Sequence, residues 1–92
     1  MASKRLETYS RLKSFRSHCT RKGYELLADD YRFIDRSLDG LAKSAFKSIL
    51  ERYLEEWGQG MAEAKQSSSA QGMGRRRANL WLLEYAEKNK FR

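Results

Sequence analysis

The sequence predicts a small all-α protein, and three observations lead to that prediction. The 92-residue chain contains neither valine nor proline, so much of the usual strand-forming material is missing. Its only β-branched residues are Thr8, Thr20, Ile34 and Ile49. Apolar residues recur every three or four positions along several stretches, as they do on one face of an α-helix. Because a chain of this length builds one core, we expect a single four-helix domain over residues 1–92.

The first two helices are predicted over about residues 3–22 and 24–37. The apolar stripe of the first helix is narrow, and Gly23 follows it where a C-capping glycine belongs. The second helix has a broad apolar side that includes Leu27. Asp30 falls within that side, where a carboxylate must find a partner or stay near the rim, and a structural pair with a neighbouring arginine is favoured over a role on a substrate.

The third and fourth helices are predicted over about residues 41–57 and 75–89. Asp39 lies in the preceding turn as a plausible N-cap for the third helix, whose apolar half makes it the expected core helix. Residues 58–74 contain four glycines and three consecutive serines. That composition predicts a flexible Ser/Gly loop before the last helix.

Charge is the strongest functional signal in the sequence. The net charge is +7, from 19 basic and 12 acidic residues. It is concentrated at the two ends, since residues 1–36 and 67–92 are strongly basic and residues 37–66 slightly acidic. Such a balance is common in proteins that bind nucleic acid or another acidic surface. We therefore expect a partner that is DNA, RNA or a nucleoprotein complex.

Three consecutive arginines, Arg75 to Arg77, stand at the start of the predicted fourth helix. The helix dipole disfavours cations there, which suggests a role in binding rather than in helix stability. Asn79 lies on the same turns, and the first predicted helix adds further cations. The candidate nucleic-acid-binding residues are Arg75, Arg76, Arg77, Asn79, Arg5, Arg11, Lys13 and Arg16. Tyr9 and Phe15 either stack on bases or belong to the core, and the core is the favoured interpretation.

The ten residues Gly74-Arg75-Arg76-Arg77-Ala78-Asn79-Leu80-Trp81-Leu82-Leu83 resemble a helix with the pattern Arg-Arg-x-Ala-Asn-x-x-Leu. That helix is found within the replication endonucleases of temperate tailed phages. Those enzymes nick DNA with a tyrosine nucleophile and metal-binding histidines, and this chain, with one histidine, lacks that machinery. The resemblance implies an accessory protein of a phage or plasmid, with Arg75, Arg76, Arg77 and Asn79 in a DNA-binding segment.

An enzyme is not expected. The single histidine, His18, is adjacent to the single cysteine, Cys19, and adjacent side chains on a helix point about 100° apart, so the two make a poor catalytic pair. The sequence has no metal-binding histidine spacing and no phosphate-binding glycine loop, so neither a metal nor a cofactor is expected. One cysteine and no apolar run of about 20 residues favour a cytoplasmic protein without a membrane partner.

A competing hypothesis is a small protein that inhibits or adapts another protein, such as a phage-encoded anti-CRISPR acting on a nucleoprotein complex. Such a protein is expected to use Trp57, Trp81, Arg77 or Tyr85 as anchors, because aromatic residues and arginine dominate interface hot spots. The sequence leaves open whether the nucleic acid is DNA or RNA and single or double stranded. A homodimer fits a chain of this size as well as a monomer does.

Overall fold

The computed structural model describes residues 11–90, and over this range the chain folds into four α-helices without strands. They are α1 (Lys13–Lys22), α2 (Ala28–Leu38), α3 (Phe46–Glu63) and α4 (Ala70–Asn89). Two single-turn 3₁₀ helices, Lys43–Ala45 and Ser67–Ser69, precede α3 and α4. The predicted small all-α fold is confirmed. The predicted helical residues 3–10 lie outside the described range.

Gly23 ends α1 as predicted. Its φ of +77° lies in the left-handed region that side-chain-bearing residues rarely adopt. The N–H of Gly23 donates to the carbonyl of Thr20 at 3.1 Å, and the N–H of Tyr24 donates to the carbonyl of Cys19 at 3.0 Å. These bonds satisfy the last carbonyl groups of α1 and turn the chain back toward α2.

α2 begins four residues later than predicted, because the Asp30 carboxylate fixes its start. Oδ2 of Asp30 accepts a hydrogen bond from the Leu27 N–H at 2.8 Å, which makes Leu27 the residue before the helix. Leu27 is 59% exposed, so its predicted place on the apolar side is wrong. The predicted capping role of Asp39 is also wrong, since Asp39 pairs with Arg11 and α3 begins only at Phe46.

The connection between α3 and α4 is much shorter than the predicted loop 58–74. Only Ala64 to Ser69 separate the two helices, so all four glycines of this stretch are helical. Two of them lie where the helices meet. A Cβ at Gly60 would lie 2.5 Å from the carbonyl oxygen of Met73, and one at Gly74 would lie 2.7 Å from Cδ1 of Trp57. These glycines therefore permit close helix packing. The sequence predicts flexibility instead, because both uses of glycine look alike in a sequence.

α3 and α4 pack antiparallel and provide the centre of the core. Contacts pair Trp57 with Gly74 near the connection and Tyr53 with Asn79 further along. Phe15 of α1 packs edge-on against Tyr53, with ring centroids 6.1 Å apart, so the preferred core interpretation of Phe15 is confirmed. The largest fully buried side chains are Trp57, Tyr53, Leu12, Ile34, Leu38, Leu82 and Cys19.

Replacing Gly74 with alanine should destabilise the fold by about 1–3 kcal/mol, because the new methyl group overlaps Trp57. Gly72→Ala is the matched control, since a Cβ at Gly72 meets nothing within 4 Å. That variant should be equally stable or more stable by up to about 1 kcal/mol, as expected for alanine in a helix. Thermal and urea unfolding of both variants checks the prediction, and equal effects of the two substitutions would contradict the close packing of α3 and α4.

Candidate functional site

The arginine triplet does not lie at the start of a helix. α4 begins at Ala70, so Arg75 is in its second turn and the prediction of cations in the first turn is wrong. Residues 70–74, which precede the triplet, are therefore helical, and Gly74 among them packs against Trp57 of α3. The helix dipole therefore provides no reason to assign the triplet to binding, and its role has to be judged from its contacts.

Arg75 pairs with the buried carboxylate of Asp30. Nε of Arg75 lies 2.8 Å from Oδ2 of Asp30, and Nη2 donates to the carbonyl of Glu25 at 2.8 Å. The guanidinium group also lies over the Trp57 ring, 5.2 Å from its centroid. Asp30 is 4% exposed, so the expected arginine partner for this carboxylate is confirmed.

Asn79 completes the environment of Asp30 and links it to α3. Its Nδ2 donates to Oδ1 of Asp30 at 3.0 Å, and its Oδ1 accepts a hydrogen bond from the Tyr53 hydroxyl at 2.5 Å. Burial, together with the nearby Asp30 charge, raises the pKa of Tyr53 and keeps this hydroxyl protonated as a donor. Both polar ends of the Asn79 amide are thus used inside the protein.

Arg77 is held by three side chains of α3. It donates to Glu56 at 3.0 Å, to Glu63 at 2.8 Å and to Gln59 at 2.6 Å. Glu56 is 6% exposed and also accepts a hydrogen bond from Arg52 at 2.8 Å. Burial alone would raise the pKa of Glu56, but the hydrogen bonds from Arg52 and Arg77 outweigh it and lower that pKa. Hydrogen bonds to Glu56 and Glu63 likewise raise the pKa of Arg77.

The other candidate residues occupy separate places. Arg11 is bound to Asp35 at 2.7 Å and to Asp39 at 2.8 Å, at the C-terminal end of α2. The Arg16 guanidinium lies over the Tyr31 ring, 4.9 Å from its centroid. Lys13 and Arg76 are exposed, and Arg5 lies outside the described residues. The structure therefore brings Arg75 and Asn79 together at Asp30 but places Arg77 and Arg11 at different carboxylates.

A groove of about 810 Å³ lies between α1 and α3, on residues that sequence reasoning largely missed. Its apolar lining comes from Phe15, Tyr24, Phe46, Leu50 and Leu54. Its charged or polar lining from α1 and the turn before it is Arg11, Ser14, His18, Arg21 and Lys22, and that from α3 is Lys47, Glu51 and Glu55. The groove thus combines aromatic rings with a basic side and a side of mixed charge.

Three of the cations that line the groove, two on α1 and one on α3, have no carboxylate partner within residues 11–90. Arg11 is paired, but Arg21, Lys22 and Lys47 form no ion pair within residues 11–90. Arg21 instead lies 3.3 Å from Nδ1 of His18, measured from its Nη2 atom. No acidic residue occurs between Glu7 and Glu25, which is the sequence signal that could have singled out Arg21 and Lys22. Nothing comparable marks Lys47 or Phe46, because their role depends on how α3 docks beside α1.

Neither a metal-binding cluster nor a membrane-spanning helix occurs within residues 11–90. No three His, Cys, Asp or Glu side chains of this range come together as a metal site requires. None of its helices has both the length and the apolar character needed to cross a membrane. Comparison with protein-family models, curated proteins and solved structures finds no match to this chain. Function therefore has to be argued from the site itself.

The contacts of the triplet predict unequal effects of its arginines on stability. Arg75→Ala leaves the buried Asp30 carboxylate without its cation and should destabilise the protein by about 1–3 kcal/mol. Arg76→Ala removes an exposed side chain and should change stability by less than about 0.5 kcal/mol. Urea unfolding at neutral pH measures both, and equal small effects would show that the Asp30 ion pair contributes nothing to the fold.

The lowered pKa of Glu56 predicts how Glu56→Gln responds to pH. An acid whose pKa is lower in the folded state stabilises the protein above its unfolded pKa, and this contribution is lost as pH falls through the folded pKa. The wild-type protein should therefore melt at a higher temperature than Glu56→Gln at pH 7. The difference should shrink as pH drops below about 4.3, the usual glutamate value. Thermal melts of both proteins from neutral to strongly acidic pH measure it, and a difference independent of pH would exclude the Glu56 charge as its source.

Proposed function

We propose that this protein binds single-stranded nucleic acid in the groove between α1 and α3 and acts without catalysis. One observation carries the proposal: the segment of residues 11–23 has five cations and no acid, and three of these cations, Arg11, Arg21 and Lys22, line a groove that also has aromatic rings. Proteins that hold single strands combine a positively charged groove with aromatic side chains on which bases stack. The groove offers both features within one surface.

Phosphate groups fit the α1 side of the groove. Arg21 and Lys22 lie in the last turn of α1, where the helix dipole favours cations, so the fold tolerates both charges there. Lys47 adds a third cation from the first turn of α3. Because no carboxylate of residues 11–90 pairs with these three side chains, a phosphate would not have to displace an internal partner.

Bases fit the α3 side. Phe46 of α3 and Tyr24, which follows α1, are only partly buried. Arg11 lies over one face of the Phe46 ring and Trp57 stacks against one face of the Tyr24 ring, so a base would stack on the opposite face of either ring. Glu51 and Glu55 can accept hydrogen bonds from base amino groups, as glutamate does from cytosine. A duplex would bring phosphates to both sides of the groove, and these two carboxylates would repel them. Charge therefore favours a single strand with its backbone toward α1.

The resemblance of residues 74–83 to a helix of phage replication endonucleases supports a phage or plasmid origin for this accessory protein. In this chain Arg75 and Asn79 of that stretch donate hydrogen bonds to Asp30, and Arg77 donates to carboxylates of α3. We therefore assign the main nucleic-acid contacts to α1 rather than to the triplet. Arg76, which is exposed, is the member of the triplet that remains available to a partner.

A protein partner is the second candidate, and the mixed charge of the groove favours it. An amphipathic helix can place its apolar face on Phe46 and Leu50 while its acidic edge meets α1 and its basic edge meets Glu51 and Glu55. This is how an inhibitor or adaptor of a nucleoprotein complex would use the same surface. Trp57 is fully buried, so the prediction that it anchors such an interface is wrong, whereas Trp81 and Tyr85 are partly buried.

Fluorescence anisotropy with labelled single-stranded and duplex oligonucleotides tests the nucleic-acid proposal. Arg21→Glu/Lys22→Glu should weaken single-strand binding by about tenfold or more, because two phosphate contacts become repulsive. The control Lys65→Glu/Lys88→Glu makes the same change in net charge on exposed residues that do not line the groove. It should weaken binding by less than about threefold. With three phosphate contacts, the log–log salt slope should be near −2 for a single strand, from about −0.7 per contact.

Equal losses of affinity in the two double variants would mean that binding depends on the net charge of the protein and not on the residues of the groove. Stronger binding of the duplex would contradict the placement of bases against Glu51 and Glu55. If the wild-type protein binds none of the oligonucleotides at low salt, the nucleic-acid proposal fails and a protein partner becomes the favoured function.

A further inference from the structure

The outer face of α4 carries an unpaired apolar stripe. Met73, Leu80 and Leu83 are 39%, 54% and 46% exposed, and they are three of the four exposed large hydrophobic residues in the described part of the chain. At about 100° per residue they lie opposite the buried side of the helix. That buried side consists of Gly74, Ala78, Leu82 and Ala86. The stripe therefore faces away from the core of residues 11–90, on a side where another molecule can contact it.

Two charged residues continue the stripe with the spacing of a helix-pairing seam. Positions 73, 76, 80, 83 and 87 follow the alternating steps of three and four residues that bring one helix face against a partner helix. Arg76 and Glu87 occupy the two charged positions on either side of the leucines. Both are exposed, and neither has a hydrogen bond or ion pair within residues 11–90. The seam thus carries a cation at one end and an anion at the other.

We propose that the partner is a second copy of this chain, paired antiparallel through α4. A two-fold axis between positions 80 and 83 places Leu80 beside Leu83 of the second copy, and Leu83 beside Leu80 of the second copy. The same axis places Arg76 beside Glu87 of the second copy, at both ends of the interface. A parallel pair would instead bring like charges together, which is unfavourable. The stripe is therefore complementary in charge to a second, antiparallel copy of itself, as the interface of a two-fold dimer requires.

The dimer is expected to be weak. α4 has 20 residues and is about 30 Å long. In this register each copy contributes only Leu80 and Leu83 to the apolar contact, because Met73 falls opposite position 90, just after the end of α4. Such a contact is smaller than a standard interface, so we expect a dissociation constant between about 10 μM and 1 mM. This dimer does not depend on the proposed nucleic-acid site, since no residue of α4 lines the groove.

Sedimentation equilibrium of the full chain up to about 1 mM tests the proposal. Leu80→Glu/Leu83→Glu should weaken dimerisation by more than about tenfold, since the apolar contact is lost and like charges meet. Leu27→Glu is the control, because Leu27 is also exposed but lies before α2. It should leave the dissociation constant unchanged. Circular dichroism melts of each variant verify that the exposed substitutions leave the fold intact.

Charge reversal tests the antiparallel register. Arg76→Glu and Glu87→Arg should each weaken self-association by about fivefold, and the double variant should recover it. An equimolar mixture of the two single variants should also recover association, because each end of the mixed dimer then pairs opposite charges. A wild-type protein that stays monomeric at about 1 mM overturns the proposal. So does a Leu27→Glu effect as large as that of the double leucine variant, or single reversals without effect.

Discussion

The buried carboxylate of Asp30 is the interaction on which the arrangement of the helices depends. It accepts hydrogen bonds from the Leu27 N–H, from Arg75 and from Asn79. A buried carboxylate without partners is costly, so the fold has to bring α4 to the start of α2. Through Asn79 and the Tyr53 hydroxyl the same network reaches α3. One side chain thus fixes where α2 begins and how α4 is rotated against its neighbours.

The rotation of α4 explains why three consecutive arginines have three different environments. Successive side chains on a helix point about 100° apart, so one run cannot face one partner. Arg75 faces Asp30, Arg77 faces Glu56, and Arg76 is left exposed on the outer side. The close packing at Gly74 fixes this rotation, because any side chain there would overlap Trp57. Two of the three arginines therefore join α4 to α2 and α3 through ion pairs.

In this arrangement most of the arginine triplet of α4 is paired with carboxylates, whereas α1 keeps unpaired cations within the described residues. The cations of α4 that face inward are neutralised by carboxylates, whereas Arg21 and Lys22 have no such partner in the described part of the chain. Since α3 docks beside α1, these cations border aromatic and aliphatic side chains instead of bulk solvent alone. α4 in turn keeps its outer face for a different contact. The two proposed interaction surfaces lie on different helices, and we propose different partners for them.

The sequence by itself determined those features that depend on the residue pattern within one helix or turn. The all-α fold follows from the apolar periodicity and the shortage of β-branched residues, the end of α1 follows from Gly23, and the need of Asp30 for an arginine follows from its apolar surroundings. Only the tertiary structure decided the use of the glycines in residues 58–74, the partners of Arg75 and Arg77, and the groove beside α1. Glycine looks the same in a sequence whether it allows a loop to bend or a neighbouring helix to pack closely. An arginine likewise has the same charge whether it binds a phosphate or a buried carboxylate. Which of these applies depends on the residue that packs against it, and that residue is distant in the sequence.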